Sequence, residues 1–323
     1  MLANKEYQKE QITKTDDERS FDECLIGVGG TAEIFKVKVV ATGKVVALKQ
    51  FREEYWLTEN KEYSEEIAVR NLKKEAGILN SLSHENIVQF IGYCVEKPRF
   101  GLLLEFCHGG SFKSLLSTVD RNTPIQLKTL INWAQQISAA MEYLISQGYI
   151  HRDLTTDNVL VKQAVCHCGI TIGQCNGCEG FGLECLTLKL TLGSSLKRKE
   201  EVTENELAGR FEYLAPEAFK RNTFSEASDV WAFGVVLWEI WTRDTVGKGI
   251  TPIAFTFTVA RDGQRLKIDK NCPLEWKKLM ESCWEMELEK RPTFEQLSGS
   301  LKKYAGKHEM GAKCRLLTKC FGR

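Results

Sequence analysis

The sequence predicts an α+β protein built as two lobes, the first small and rich in strands, the second larger and helical. Two observations carry this. From about residue 21 to 107 the apolar residues alternate as in half-buried strands, interrupted by one charged segment with helical spacing. After His108-Gly109-Gly110 the apolar spacing becomes helical and stays so. The lobes are therefore expected at 21–107 and 108–304, behind a flexible leader at 1–20 and ahead of a basic tail at 305–323.

In chain order, FDECLIGVGG, AEIFKVKVV and KVVALKQF read as strands, the last two joined by a turn at Thr42-Gly43. Residues 62–82 read as the helix of the first lobe, and IVQFIGYC and FGLLLEFC as two further strands. LINWAQQISAAMEYLISQG, SDVWAFGVVLWEIWTR and WKKLMESCW read as helices of the second lobe.

Composition narrows the function classes. A chain of 323 residues with 43% hydrophobic and 27% charged residues reads as a globular protein with a sizeable core. Its formal net charge of +1 supplies no global field for nucleic acid or a membrane. The longest apolar run, WAFGVVLWEIW, contains a Glu and is shorter than the roughly 20 residues a bilayer needs. MLANKEYQKEQ does not have the pattern of a signal peptide, and position 2 is not Gly. A cytoplasmic location follows, with the 12 cysteines reduced.

Three stretches carry chemistry. Gly27-Val28-Gly29 lies between two strand-like runs, where backbone N–H groups can approach phosphate. Lys49 closes an apolar strand, and Glu75 on the following helix can hold it. Tyr149-Ile150-His151-Arg152-Asp153-Leu154-Thr155-Thr156-Asp157-Asn158-Val159-Leu160 sets an Asp and an Asn five positions apart, a base beside a metal ligand.

Together these motifs closely resemble the eukaryotic protein kinase family from about residue 21 to 304. The resemblance implies the bilobal kinase fold, ATP as cofactor, and a protein substrate or signalling partner. It implies that Gly27 and Gly29 belong to the glycine-rich loop, with Ala32 in place of its third Gly. Lys49 would hold the phosphates, Glu75 would hold Lys49, Asp153 would be the catalytic base and Asn158 a Mg²⁺ ligand. Leu104 falls at the gatekeeper position and Glu105-Phe106-Cys107 at the adenine hinge, with Ile34, Ala47 and Leu160 around the ring. Ala215-Pro216-Glu217, Asp229 and Arg291 match the scaffold of the second lobe, including a buried Glu217–Arg291 pair.

Ser228-Asp229-Val230-Trp231, Trp238-Glu239 and Cys283-Trp284 resemble tyrosine kinases and their tyrosine-kinase-like relatives. Thr155-Thr156-Asp157 supplies neither the Arg of tyrosine kinases nor the Lys of serine/threonine kinases, and Asp157 is expected to repel phosphate. Substrate class stays open.

The family pattern then departs. Its Asp-Phe-Gly should follow a short strand. LTLKLTL is the better strand, which puts Leu192 at the Asp and Gly193 near the Phe; Gly180-Phe181-Gly182-Leu183 is the rival placement. Residues 163–199 contain no Asp under either placement, so Mg²⁺ is doubtful. The expected function is a pseudokinase or weakly active kinase in signalling; the alternative is an active kinase using Asp153 as base and Lys49 on the phosphates.

A Cys-rich insert at about 163–185 carries Cys166, Cys168, Cys175, Cys178 and Cys185, whose C-x-C and C-x-x-C pairs could hold Zn²⁺. The tail is expected to be solvated; membrane association would need palmitoylation of Cys314 and Cys320 among its basic residues. Oligomeric state is not legible.

Overall fold

The computed structural model describes residues 5–15, 20–29, 32–52, 61–121, 123–163, 183, 186–193, 196–197 and 210–320. They fall into two compact units that divide at Cys107 and His108.

The first unit is a twisted antiparallel sheet with one helix. Its strands are β1 (Ile12–Lys14), β2 (Leu25–Val28), β3 (Ala32–Val39), β4 (Lys44–Phe51), β5 (Phe90–Cys94) and β6 (Gly101–Glu105), and the helix α1 spans Lys61–Ser81. The order is β1-β3-β4-β6-β5, with β2 also paired to β3. Alternation sets the two faces. Phe35, Val37, Val46, Leu48 and Leu103 turn into a core cluster with Tyr7, Ile12, Cys24 and Cys94. Residues between them in sequence face the other way, so Ile34, Ala47, Lys49 and Leu104 share the second face; Ile34 pairs with Lys49, and Ala47 with Leu104.

One expectation is corrected here. Residues 5–14 are not a flexible leader. Tyr7 and Ile12 are 5% and 4% exposed, and β1 pairs with β3 through Ile12–Val39 and Lys14–Val37. Two apolar residues five apart in a charged segment gave too weak a pattern to register as a strand.

The second unit is mainly helical. Its helices are α2 (Phe112–Thr118), α3 (Leu127–Ser146), α4 (Pro216–Arg221), α5 (Glu226–Thr242), α6 (Pro252–Asp262), α7 (Leu274–Cys283) and α8 (Phe294–Cys320). Short strands β7 (Tyr149–Ile150), β8 (Val159–Gln163), β9 (Thr187–Leu190) and β10 (Leu196–Lys197) pair as β8 with β9 and β7 with β10. Helix α5 is buried along most of its length, as its nearly all-round apolar sequence requires, and carries Asp229 into the interior. Helix α8 continues past residue 304 to Cys320, so the expected tail begins as helix; no proline interrupts it. Among the described residues no helix is long and apolar enough to cross a membrane.

The expected Glu217–Arg291 pair forms: Nη1 and Nη2 of Arg291 donate to Glu217 at 2.6 and 2.9 Å, and Nε donates to Glu285 O at 2.7 Å. The Arg291 side chain has no exposed surface. Removing one partner strands a buried charge, which costs about 3–5 kcal/mol. Arg291→Met should lower the urea midpoint accordingly, and Glu217→Leu combined with Arg291→Met should recover much of the loss.

Candidate functional site

In the first unit the sheet presents Lys49 beside α1. Lys49 Nζ lies 2.9 Å from Glu75 Oε1, and both side chains are mostly buried. The alternation of β4 puts Lys49 on the face that bears Ala47, while cross-strand pairing adds Ile34 and Leu104. Gly27 opposes Ile34 across the β2–β3 pairing, and Gly29 N–H closes toward Ala32 O at 2.8 Å. At the end of β6, Glu105 N–H donates to Gln89 O, while its carboxylate accepts from Gln89 N–H at 3.2 Å. Glu105 and Cys107 are each 8% exposed. The structure thus brings Gly27, Ile34, Ala47, Lys49 and Leu104 to one face and Glu75 to its cation.

In the second unit, Asp229 fixes the loop after β7. Its two carboxylate oxygens accept the N–H groups of His151 (2.7 Å) and Arg152 (2.9 Å). Arg152 is thereby held at φ 67°, an unusual backbone for a residue with a side chain. Burial pushes the Asp229 carboxyl above the usual carboxylate range, partly offset by His151 and the two N–H donors. His151 Nδ1 accepts from Asp153 N–H at 3.2 Å and its Nε2 donates to Thr191 O at 2.7 Å, so each ring nitrogen has one role. Asn158 Nδ2 donates to Asp153 O and to Asp153 Oδ2, both at 2.7 Å. The other carboxylate oxygen, Asp153 Oδ1, is buried without a hydrogen-bond partner among the described residues. Leu160 follows on β8, opposite Lys189.

A family model for protein tyrosine and serine/threonine kinases matches residues 23–301. The chain belongs to that kinase family. It is 40% identical over 319 residues to mitogen-activated protein kinase kinase kinase mlk-1 of Caenorhabditis elegans, covering 93% of this chain and 30% of that protein. It is 32% identical over 277 residues to mitogen-activated protein kinase kinase kinase 11 of Homo sapiens, covering 84% and 30%. A Drosophila melanogaster mitogen-activated protein kinase kinase kinase is 34% identical over 238 residues, covering 73% of this chain and 19% of its own. The chain thus spans less than a third of each of these relatives.

Strand β9 leads to Leu192, the residue at which the kinase resemblance expects the metal-binding Asp. Helix α3 grips the approach to it: Trp133 Nε1 donates to Leu183 O at 3.1 Å, and Gln136 bonds Leu186 O and Leu188 N–H. Strand β9 pairs with β8 through Leu190–Val159, and Thr191 N–H donates to Asn158 O at 2.9 Å. The next residue is Leu192, 7% exposed. The rival placement, Gly180-Phe181-Gly182-Leu183, lies outside the described residues except for Leu183. A bound Mg²⁺ would therefore find the neutral Asn158 amide and, at the second position, a hydrocarbon; these residues do not fit the ion.

Asp157 does not act as expected. Its carboxylate is paired with Arg210 and with Lys113 Nζ at 3.3 Å, so its charge is compensated. Arg210, where the family pattern has Thr, supplies one of these cations, and sequence spacing gave no hint of a contact 53 positions away. Thr156 Oγ1 and Tyr213 OH both donate to Glu239 Oε2 at 2.7 Å, a second tie beneath the loop. The insert cysteines 166, 168, 175, 178 and 185 lie outside the described residues, and nothing here supports zinc.

Burial pushes the Glu239 carboxyl up, and its two hydroxyl donors offset this only partly. The folded domain therefore binds the Glu239 proton at a pH where the unfolded chain has lost it. Stability from this group is full below the unfolded value and lost as pH rises through the folded one. Glu239→Gln, whose carbonyl still accepts from Thr156 and Tyr213, should flatten the decline in melting temperature between mildly acidic and neutral pH. An unchanged slope would contradict the assignment.

Proposed function

We propose that this kinase domain is a pseudokinase or near-inactive kinase in intracellular protein signalling, one that holds ATP through its first unit without a competent Mg²⁺ site. Leu192 carries the reading. Metal stabilisation of a transferring phosphoryl group is worth several kcal/mol, about a thousandfold in rate, and a buried leucine supplies none of it. The Lys49–Glu75 pair supports nucleotide binding, because a cation already held needs no rearrangement to meet phosphate. Ile34, Ala47, Leu104 and Leu160 are the proposed adenine contacts, Gly27 and Gly29 the phosphate loop, and Glu105 and Cys107 the backbone contacts of the hinge. The named relatives, mitogen-activated protein kinase kinase kinases, suggest a protein partner in a kinase cascade.

One observation favours residual phosphoryl transfer. Among the described residues Asp153 Oδ1 is a buried acceptor without a hydrogen-bond partner while Oδ2 is fixed by Asn158, which suits a base awaiting a hydroxyl donor. In that reading Asp153 takes the proton of the attacking hydroxyl while Lys49 holds the phosphate oxygens.

A transfer assay with labelled ATP and Mg²⁺ separates the two. The wild type should turn over at least about a thousandfold below the 1–100 s⁻¹ of ordinary kinases, and Leu192→Asp should raise the rate at least about tenfold. Ordinary turnover that Asp153→Asn abolishes would overturn the pseudokinase reading.

A further inference from the structure

Residues Lys5–Lys14 form a strap that crosses the first unit before any of the kinase motifs begin. Tyr7 N–H donates to Tyr93 O at 2.8 Å and Tyr93 N–H to Lys5 O at 3.0 Å, which adds the strap to the β5 edge. Farther on, β1 pairs with β3 at the opposite edge, and Lys9 N–H donates to Glu96 Oε2 at 3.0 Å on the way. Between these edges Tyr7 and Ile12 join the cluster of Val37, Val46, Leu48 and Leu103. The strap therefore covers the face of the sheet opposite Lys49.

Gly92 makes the crossing possible. A Cβ built there would lie 2.4 Å from Lys5 O and 2.5 Å from the Tyr7 ring, so only glycine lets the strap lie flat on β5. Glu6 then reaches two elements: it accepts from Tyr93 OH at 3.0 Å and lies 3.6 Å from Lys73 Nζ on α1. Lys73 is two residues before Glu75. At 3.6 residues per turn they sit about 200° apart, so the strap meets α1 on the side away from Glu75.

We propose that the Lys5–Lys14 strap is a positioning device that holds α1 against β5 and so keeps Glu75 on Lys49. The Tyr7 seat fixes the strap on β5, and Lys73 carries the hold to α1 through Glu6 at 3.6 Å and the Tyr93 ring 5.9 Å away. Glu6 contributes direction, tying the helix to the strand edge. The proposal rests on the reading that Lys49, held by Glu75, grips the nucleotide phosphates.

Hydrogen exchange of the full chain without nucleotide, followed by mass spectrometry, tests it in Gly92→Ala and Tyr7→Ala. Peptides from 61–81 should exchange roughly tenfold faster in both, with α3 and α5 unchanged, and ATP affinity should fall in parallel. Lys73→Glu should speed the same peptides about two- to fivefold, and adding Glu6→Lys should restore them. The proposal is overturned if the strap amides lose protection while 61–81 keep it, or if the strap stays protected in both variants. If the wild type binds no ATP, the nucleotide reading fails, but the exchange result still decides whether the strap holds α1.

Discussion

Both carboxylate oxygens of Asp229 are committed to the backbone of His151 and Arg152, and the chemistry of the second unit depends on that commitment. The two N–H groups converge only if Arg152 adopts a left-handed backbone, a conformation that costs of order 1–3 kcal/mol and persists only where its surroundings impose it. Helix α5 imposes it by burying Asp229 against these two donors. From that fixed point His151 reaches Thr191, and Asp153 is presented with one oxygen tied to Asn158 and the other open.

The kinase domain keeps this frame, and in the reading proposed above Leu192 stands where the frame would serve a metal. Its catalytic loop carries neither the usual Lys nor Arg, yet positive charge returns from outside the loop, from Lys113 and Arg210 around Asp157. Leu192 offers only hydrocarbon, which cannot coordinate a cation.

The two-unit division was legible in the change of apolar spacing near residue 107, and the Lys49–Glu75 and Glu217–Arg291 pairs in the resemblance to protein kinases. The strap was not. Tyr7 and Ile12 acquire meaning only once β3 and β5 are in place to receive them, and Gly92 reads as an ordinary strand glycine until a second backbone lies across it. Asp157 was misread for the same reason: its partners come from α2 and from the segment before α4, and local sequence shows only an extra negative charge. Burial by distant elements, rather than propensity, decided each of these.

Calorimetric titration of ATP into the wild-type chain, in millimolar Mg²⁺ and again in excess chelator, tests the central claim most directly. With Leu192 in place of a metal-binding carboxylate, the two dissociation constants should agree within about threefold, a difference below 1 kcal/mol. Tightening of about tenfold or more by Mg²⁺ would show that the domain recruits the ion, and would contradict the account.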